Sequence, residues 1–150
     1  VAAAGKQVLA GTLGGISILD NENVAANYTV ATRGLPHNWI SAVVRVDNDW
    51  MVGTYGGGIV RLSSNGRFEA FDLATAKFEV YPNAMLATGR HVLAGTLGKG
   101  LYVFNRNSNR WSRLTEGLPS LTVTALASGN GYIYVGTDNG LVRILEQNLP

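Results

Sequence analysis

Histidines and acidic clusters are the residues of this 150-residue sequence whose types suit metal binding or acid–base catalysis. The two histidines, His37 and His91, stand 54 positions apart, in a predicted turn and at a predicted strand start, and each is expected to be a surface or turn residue rather than a ligand. The acidic segments 20–23 and 47–49 lack the ligand spacing of a calcium loop, and hairpin turns favour Asp and Asn in any case. Cysteine is absent, so thiolate ligands are absent too. The sequence therefore predicts neither a metal site nor a bound cofactor.

Nucleophilic catalysis and phosphate binding also lack their motifs. No Ser or Thr occupies a nucleophile elbow, and there is no cysteine to act as a nucleophile. The stretch 95–100, GTLGKG, has the glycines of a phosphate-binding loop, but it lacks a Ser or Thr after Lys99 and a following helix. We therefore expect no enzymatic activity, with one alternative left open: acids and a histidine from separate parts of the chain, such as Asp138 with His37.

The composition predicts a single domain with an apolar core and many tight turns. Hydrophobic residues make up 46% of the sequence, and 19 glycines stand against 4 prolines among short runs of strand-forming residues. The net charge is +2, and positive charge crowds only at Arg106, Arg110 and Arg113. Nucleic-acid binding normally needs a basic stripe, and membrane insertion an apolar run of about 18 residues, so we expect neither. The apolar run at residues 1–4 is too short for a signal peptide.

A short motif recurs through the chain at a nearly constant interval. It ends in Gly-Thr after apolar residues, and its glycines stand 42, 42 and 41 residues apart. The four pairs are Gly11-Thr12, Gly53-Thr54, Gly95-Thr96 and Gly136-Thr137. A period near 42 is typical of β-propeller blades, each of which is a four-stranded antiparallel sheet.

The residues around the motif predict the strands of each repeat. A glycine-containing turn follows every Gly-Thr, and alternating apolar strands resume beyond it. Inner strands are predicted at 40–46, 84–88 and 123–128, with the end of another at 1–4, and outer strands at 28–30, 68–71 and 111–114. The prediction is thus an all-β, β-propeller domain over residues 1–150. Its repeats lie approximately at 1–34, 35–76, 77–117 and 118–150, and the last blade is incomplete.

The glycine and threonine of the motif are predicted to be structural. Glycine weakens a strand, so its recurrence at one strand position indicates that a neighbouring blade packs closely against the backbone there. The threonine hydroxyl is expected to bond to a main-chain group at the strand end. Trp50 aligns with Val8, Val92 and Ile133, and is predicted to lie in the core.

Two repeats carry a longer phrase that resembles a known family. The sequence Gly-Leu-Pro occurs at 34–36 and 117–119, each time with its proline 17 residues before the motif glycine, whereas the third repeat reads FEVYPN at 78–83. This phrase resembles the two-component regulator propeller repeat, found in periplasmic sensor regions of bacterial hybrid histidine kinases and in related exported proteins. The resemblance implies a periplasmic or extracellular sensor domain that binds a ligand and has no enzymatic activity.

A propeller places two sets of loops on one face, namely those after the motif and those that lead into each inner strand. Residues on these loops differ from repeat to repeat and include aromatic and polar side chains, as a binding surface requires. We therefore predict a ligand-binding rim made of His37, Asn38, Trp39, Tyr55, Tyr81, Asn83, Lys99, Asp138 and Asn139.

The sequence leaves three functional classes open. The first is a module that binds a small molecule, a carbohydrate or a protein. The second is a propeller-type lyase or glycoside hydrolase whose residues come from several blades. The third is an assembly module, because ring closure normally takes a spare strand from one terminus and neither terminus here has one. In that case a second copy completes the ring as a homodimer, or further blades of a longer chain complete it.

Overall fold

The computed structural model describes residues 1–32, 34–71 and 77–150, and within them the chain forms antiparallel sheets. The chain divides into two compact units, Val1–Val80 and Tyr81–Pro150. Three sheets have four strands and the last has three, as the sequence predicted for an all-β chain with an incomplete fourth repeat. Among the described residues, no helix has the length and apolar character that a membrane crossing requires.

The first unit contains the first and second sheets, and each strand pairs with the next one along the chain. Such local hairpins form because short apolar runs alternate with two- to five-residue turns rich in Gly, Asn and Asp. The first sheet consists of β1 (Ala2–Ala4), β2 (Gln7–Thr12), β3 (Gly15–Asp20) and β4 (Asn23–Tyr28). The second consists of β5 (Ile40–Val46), β6 (Asp49–Thr54), β7 (Ile59–Leu62) and β8 (Phe68–Ala70).

The second unit contains the third and fourth sheets, with the same sequential pairing. The third sheet consists of β9 (Val80–Ala87), β10 (His91–Thr96), β11 (Leu101–Asn105) and β12 (Arg110–Leu114). The fourth consists of β13 (Val123–Gly129), β14 (Tyr132–Thr137) and β15 (Gly140–Leu145), followed by a short 3-10 turn at Glu146–Asn148.

Each unit has an apolar core between its two sheets. In the first unit, Leu9 and Ile16 of the first sheet are buried with Ile40, Trp50 and Leu62 of the second sheet. Trp50 is therefore a core residue, as its alignment predicted. The core of the second unit joins residues of the third sheet to residues of the fourth and to the 3-10 turn; its buried members are Leu93, Leu101, Val103, Val123, Ile133, Val135 and Leu149.

The motif glycine allows this close packing of sheets. A Cβ atom on Gly11 would lie 2.4 Å from Cγ2 of Ile40 in the next sheet. A Cβ atom on Gly95 would lie 2.7 Å from both Cγ1 and the carbonyl oxygen of Val123, again in the next sheet. Real Cβ contacts are not this short, so a side chain at either position would force the sheets apart. The contacts explain why glycine recurs inside a strand, where it otherwise lowers stability.

The motif threonine holds the turn that follows it. Its hydroxyl donates to the carbonyl oxygen of the glycine that ends the turn in all four repeats, for example from Thr96 to Gly100 at 2.6 Å and from Thr137 to Gly140 at 2.8 Å. The same hydroxyl accepts a bond from a main-chain N–H inside the turn, as at Lys99. The stretch 95–100 is thus a β-hairpin rather than a phosphate-binding loop before a helix.

Two strand predictions were wrong. The outer strand of the first repeat, predicted at 28–30, is β4 (Asn23–Tyr28), because a tight turn at Asn21 with φ of 54° starts the strand at once. The inner strand of the third repeat begins at Val80 rather than Ala84. The extension places Tyr81 and Asn83 inside β9, whereas the sequence predicted them on a loop. The segment before β9 is drawn into pairing because Glu79 bridges to Tyr55 and the Phe78 carbonyl accepts the Gly58 N–H at 3.1 Å.

Candidate functional site

Three of the predicted rim residues form one group of rings in the first unit. The ring centroids of Trp39 and Tyr55 lie 5.8 Å apart at 38°, and the rings of His37 and Trp39 meet edge to face at 6.1 Å. We call His37, Trp39 and Tyr55 the ring cluster. Trp39 is 47% exposed and Tyr55 is 37% exposed, so the cluster presents aromatic surface to solvent. Exposed aromatic rings held in one place are typical of recognition surfaces.

Main-chain bonds hold the ring cluster in position. The Tyr55 N–H donates to the Trp39 carbonyl at 2.9 Å, which ties the turn after β6 to the residue before β5. The Trp39 N–H donates to Nδ1 of His37 at 3.0 Å, so the neutral ring carries its proton on Nε2. The Nε2 atom faces Gly56, where a Cβ would still be 3.8 Å away. The imidazole therefore keeps a donor available beside the two larger rings.

The two rings are not needed for the local fold. Counted from the motif glycine, Asp138 in the fourth sheet is the equivalent of Tyr55, and Thr122 is the equivalent of Trp39. The Asp138 N–H donates to the Thr122 carbonyl at 3.2 Å, which is the same bond with no aromatic ring on either side. Because the backbone forms this link with other residues, the aromatic side chains of the second sheet are free to serve another purpose.

Asn38 has a different role from its neighbours. Its side-chain oxygen accepts the Val30 N–H at 2.6 Å, so it ties the preceding connection to the loop before β5. Asn38 is thus a positioning residue for His37 and Trp39, and its amide oxygen is engaged within the fold.

The remaining predicted rim residues lie in the second unit. Lys99 and Asn139 sit at the turns after β10 and β14, and the Asn139 amide donates to the Pro119 carbonyl at 3.3 Å. Asp138 is exposed at the same turn as Asn139. Tyr81 and Asn83 are in β9, where Asn83 has φ of 59°. Their part in ligand binding stays a prediction.

The first unit also has a pocket that sequence reasoning missed. Its volume is about 220 Å³. The walls are mostly apolar, and Lys77 is the one charged residue among the described lining residues. Gly57 and Gly58 of the β6–β7 turn line it, so it adjoins the turn that carries Tyr55; further lining residues include Pro36, Phe71 and Phe78. The signal in the sequence was the run Gly56-Gly57-Gly58, which leaves three of the four residues of this turn without side chains.

A buried histidine, an acid and a hydroxyl meet in the second unit. His91 was expected near the surface, but it is buried, and its Nδ1 lies 3.3 Å from Oε1 of Glu146. Thr88 donates to the same Glu146 oxygen at 2.5 Å. The hydroxyl and the imidazole thus share one carboxylate, whereas a catalytic triad needs the hydroxyl bonded to the imidazole. Thr88 Oγ1 also accepts the main-chain N–H groups of Arg90 and His91, so this group stabilises a turn.

The hydrogen bonds and charges around Glu146 predict how the stability of the protein depends on pH. The hydrogen bond from Thr88 is the main cause that holds the pKa of Glu146 below its usual value; burial opposes it, and the bond and charge of His91 and the charge of Arg90 lower the pKa further. Arg106 also faces the turn, through Nη1 bonds to the Thr88 and Gly89 carbonyls. A lowered folded-state pKa stabilises the protein above the unfolded value of 4.5, and this contribution is lost as pH falls through the folded pKa.

Replacing Glu146 with glutamine should therefore lower the free energy of unfolding by about 1 kcal/mol at neutral pH. The difference from wild type should shrink as the pH falls below 4.5. Urea unfolding of both proteins at several pH values, from neutral to mildly acid, measures this difference in the free energy of unfolding. A difference that stays constant across this range would contradict the assignment. Glu116→Gln, at an exposed acid, is the matched control and should leave stability unchanged.

No three histidine or acidic residues in segments 1–32, 34–71 and 77–150 come close enough to hold a metal ion.

Comparison with known proteins shows similarity at the level of the fold. No family model matches the sequence, and no curated protein matches it either. The fold is similar to the WD40 β-propeller domain of Doa1, with a TM-score of 0.68 at 14% identity over 92% of this chain and 46% of that one.

The similarity extends to extracellular domains of two-component systems. One is the extracellular domain of a hybrid two-component system from B. thetaiotaomicron, with a TM-score of 0.77 and 28% identity over 97% of this chain. A second such domain from the same organism has a TM-score of 0.75 at 24% identity over 98% of this chain. This chain spans 20% of the length of each of them. The chain is therefore an all-β protein of antiparallel sheets whose fold is similar to that of a WD40 β-propeller domain and to that of extracellular domains of two-component systems.

Proposed function

We propose that this chain is a non-catalytic β-propeller segment that binds a ligand as part of a bacterial extracytoplasmic sensor, and that the ring cluster is a main part of its recognition surface. The observation that carries the proposal is the exposure of Trp39 and Tyr55 at positions where the fold itself needs no ring. Thr122 and Asp138 make the same backbone link in the fourth sheet.

The chemistry of the ring cluster suits a ligand with a flat apolar face and nearby polar groups. Trp39 and Tyr55 offer adjacent ring faces, and Nε2 of His37 offers a hydrogen-bond donor beside them. Two ligand classes have such a surface: the pyranose rings of carbohydrates, and polypeptides with proline or aromatic side chains. The proposal covers both classes, since each would pack against the same rings.

The extracytoplasmic assignment rests on similarity. The two-component system domain with 28% identity is named as extracellular, and it matches nearly the whole of this chain. Binding through loops on a rigid sheet scaffold also fits a sensor, because such loops change ligand preference without disturbing the fold.

The test is ligand binding by wild type and by the double variant Trp39→Ala, Tyr55→Ala. A glycan array and a peptide array identify a ligand, and isothermal titration calorimetry then measures its affinity for both proteins. Loss of two aromatic contacts should weaken binding by at least about tenfold. Because both rings are substantially exposed, the circular dichroism spectrum and unfolding midpoint should change little.

Leu97→Ala is the matched control. Leu97 occupies the same position after the motif glycine in the third sheet and is 39% exposed, close to Tyr55. It should leave the affinity unchanged. Unchanged affinity in the double variant would place the ligand elsewhere on the protein, and failure of wild type to bind any array member would contradict both proposed ligand classes.

A further inference from the structure

Glu79 lies beside the ring cluster, although it was not among the residues predicted for the rim. It forms an isolated antiparallel bridge with Tyr55. Residues that face each other in such a bridge project from the same side, with Cβ atoms about 5 Å apart. The Tyr55 N–H also donates to the Trp39 carbonyl at 2.9 Å, so the main chain of Tyr55 is linked to Trp39 as well as to Glu79. An acidic side chain thus extends the ring cluster on the Tyr55 side.

Glu79 has no cationic partner in the described part of the chain. The salt bridges there involve the acids Asp49, Glu69 and Glu146, and Glu79 takes part in none of them. Lys77, the nearest base along the chain, lines the neighbouring pocket instead. Glu79 is half-buried, so water screens its charge less than that of a fully exposed acid. The carboxylate is therefore available to a cation from outside the fold.

Trp39 and Tyr55 also lack a cation. Elsewhere in the chain, arginine guanidinium groups lie over two other rings, at 4.6 Å from the ring centroid of Trp50 and at 4.8 Å from that of Tyr132. Neither Trp39 nor Tyr55 has such a partner among the described residues, and both are exposed. The negative faces of Trp and Tyr rings attract cations, and Trp does so most strongly. Two exposed rings and a carboxylate, all of which suit a cation, thus lie together without one.

We propose that Glu79 and the ring cluster together select a ligand with a positively charged group, and that this group is a lysine or arginine side chain of a polypeptide. The inference rests on the proposed function of the ring cluster and narrows its two ligand classes to the second. A neutral carbohydrate can stack on the rings and donate hydroxyl hydrogen bonds to Glu79, but only a cation neutralises the carboxylate. A basic side chain lays its apolar stem along the rings and brings its charged end to the carboxylate.

The experiment is a titration followed by nuclear magnetic resonance, with the blocked peptides acetyl-Pro-Lys-Pro-amide and acetyl-Pro-Gln-Pro-amide. Both peptides offer proline to the rings, and only the first carries a charge. At low ionic strength, wild type should bind the lysine peptide at least about fivefold more tightly than the glutamine peptide. Glu79→Gln should weaken binding of the lysine peptide by about fivefold and leave that of the glutamine peptide unchanged. Added salt should weaken binding of the lysine peptide alone.

Glu22→Gln is the matched control, since Glu22 is exposed in the turn between β3 and β4 and its replacement changes the net charge by the same amount. It should leave both affinities unchanged. The double variant Trp39→Ala, Tyr55→Ala should weaken binding of both peptides, which locates them on the ring cluster. Circular dichroism and the unfolding midpoint check that each variant folds.

Equal affinity of wild type for the two peptides overturns the inference, and so does an affinity for the lysine peptide that Glu79→Gln leaves unchanged. Absence of binding by either peptide at millimolar concentration overturns it as well. The proposed function fails by a different result, in which replacement of Trp39 and Tyr55 leaves the affinity for an array ligand unchanged. A neutral glycan that binds through the ring cluster and is insensitive to Glu79→Gln therefore overturns the inference alone.

Discussion

Replacing Gly95 with alanine is expected to lower the free energy of unfolding by about 2 kcal/mol or more, even though alanine is the better strand residue. The added methyl group would lie 2.7 Å from both the Cγ1 atom and the carbonyl oxygen of Val123, and 3.0 Å from Cβ of Ala84. The Val123 oxygen is a backbone atom, and the position of the Ala84 Cβ is fixed by the backbone. No side-chain rotation therefore removes the clash. Urea unfolding followed by circular dichroism measures the loss.

Gly89→Ala provides the control for this prediction. Gly89 lies in the turn between β9 and β10, nothing stands within 4 Å of its Cβ position, and its φ is outside the positive region. This substitution should change stability by no more than about 0.5 kcal/mol, and in the stabilising direction if the unfolded chain loses entropy. Equal effects of the two substitutions would show that the third and fourth sheets are not in the close contact described.

Repetition explains why this much of the fold could be predicted from one sequence. The motif glycine and threonine occur four times, so their spacing alone predicts the register of all four hairpins. The inner strand predicted at 40–46 matches β5, and the alignment of Trp50 with its apolar equivalents predicts its place in the core. Features shared by every repeat report on backbone packing, which a periodic pattern records directly.

Features that occur once were harder to predict. His91 is buried because Glu146 reaches it from 55 residues further along the chain, and no repeat position signals that partnership. Tyr81 and Asn83 lie in β9 because the chain is already extended before it, where Phe78 and Glu79 pair with the β6–β7 turn. A tertiary pairing of this kind overrides the local pattern, which placed the strand start at the first uninterrupted apolar run.

The ring cluster was partly predictable from the sequence. The loops that carry His37, Trp39 and Tyr55 were predicted to be neighbours from the repeat alone, and the structure brings the three rings together. The internal role of Asn38 was not predictable, because the bond to Val30 depends on how the preceding connection returns to the sheet. Sequence thus located the loops, while the direction of each side chain required the structure.

Leu101→Ala is expected to have the larger stability effect of the two core predictions, at about 2–5 kcal/mol. Leu101 is fully buried, pairs with Gly95 in the third sheet, and packs with residues of the fourth sheet such as Val123 and Ile133. Truncation removes its apolar contacts and leaves a cavity, which the two sheets cannot fill by moving closer because Gly95 and Val123 are already in close contact. The midpoint of urea unfolding should fall by about 1 M or more.

The matched control for Leu101→Ala is Leu97→Ala, because both leucines flank the same turn. Leu97 is 39% exposed, so its truncation should cost less than about 1 kcal/mol. Both variants lose one leucine beside the same turn, so a difference between their stability losses reports the packing of Leu101 and not a general effect of replacing leucine in this hairpin. Similar losses for both would mean that the side of the third sheet that carries Gly95 and Leu101 is not packed against the fourth sheet as the structure describes.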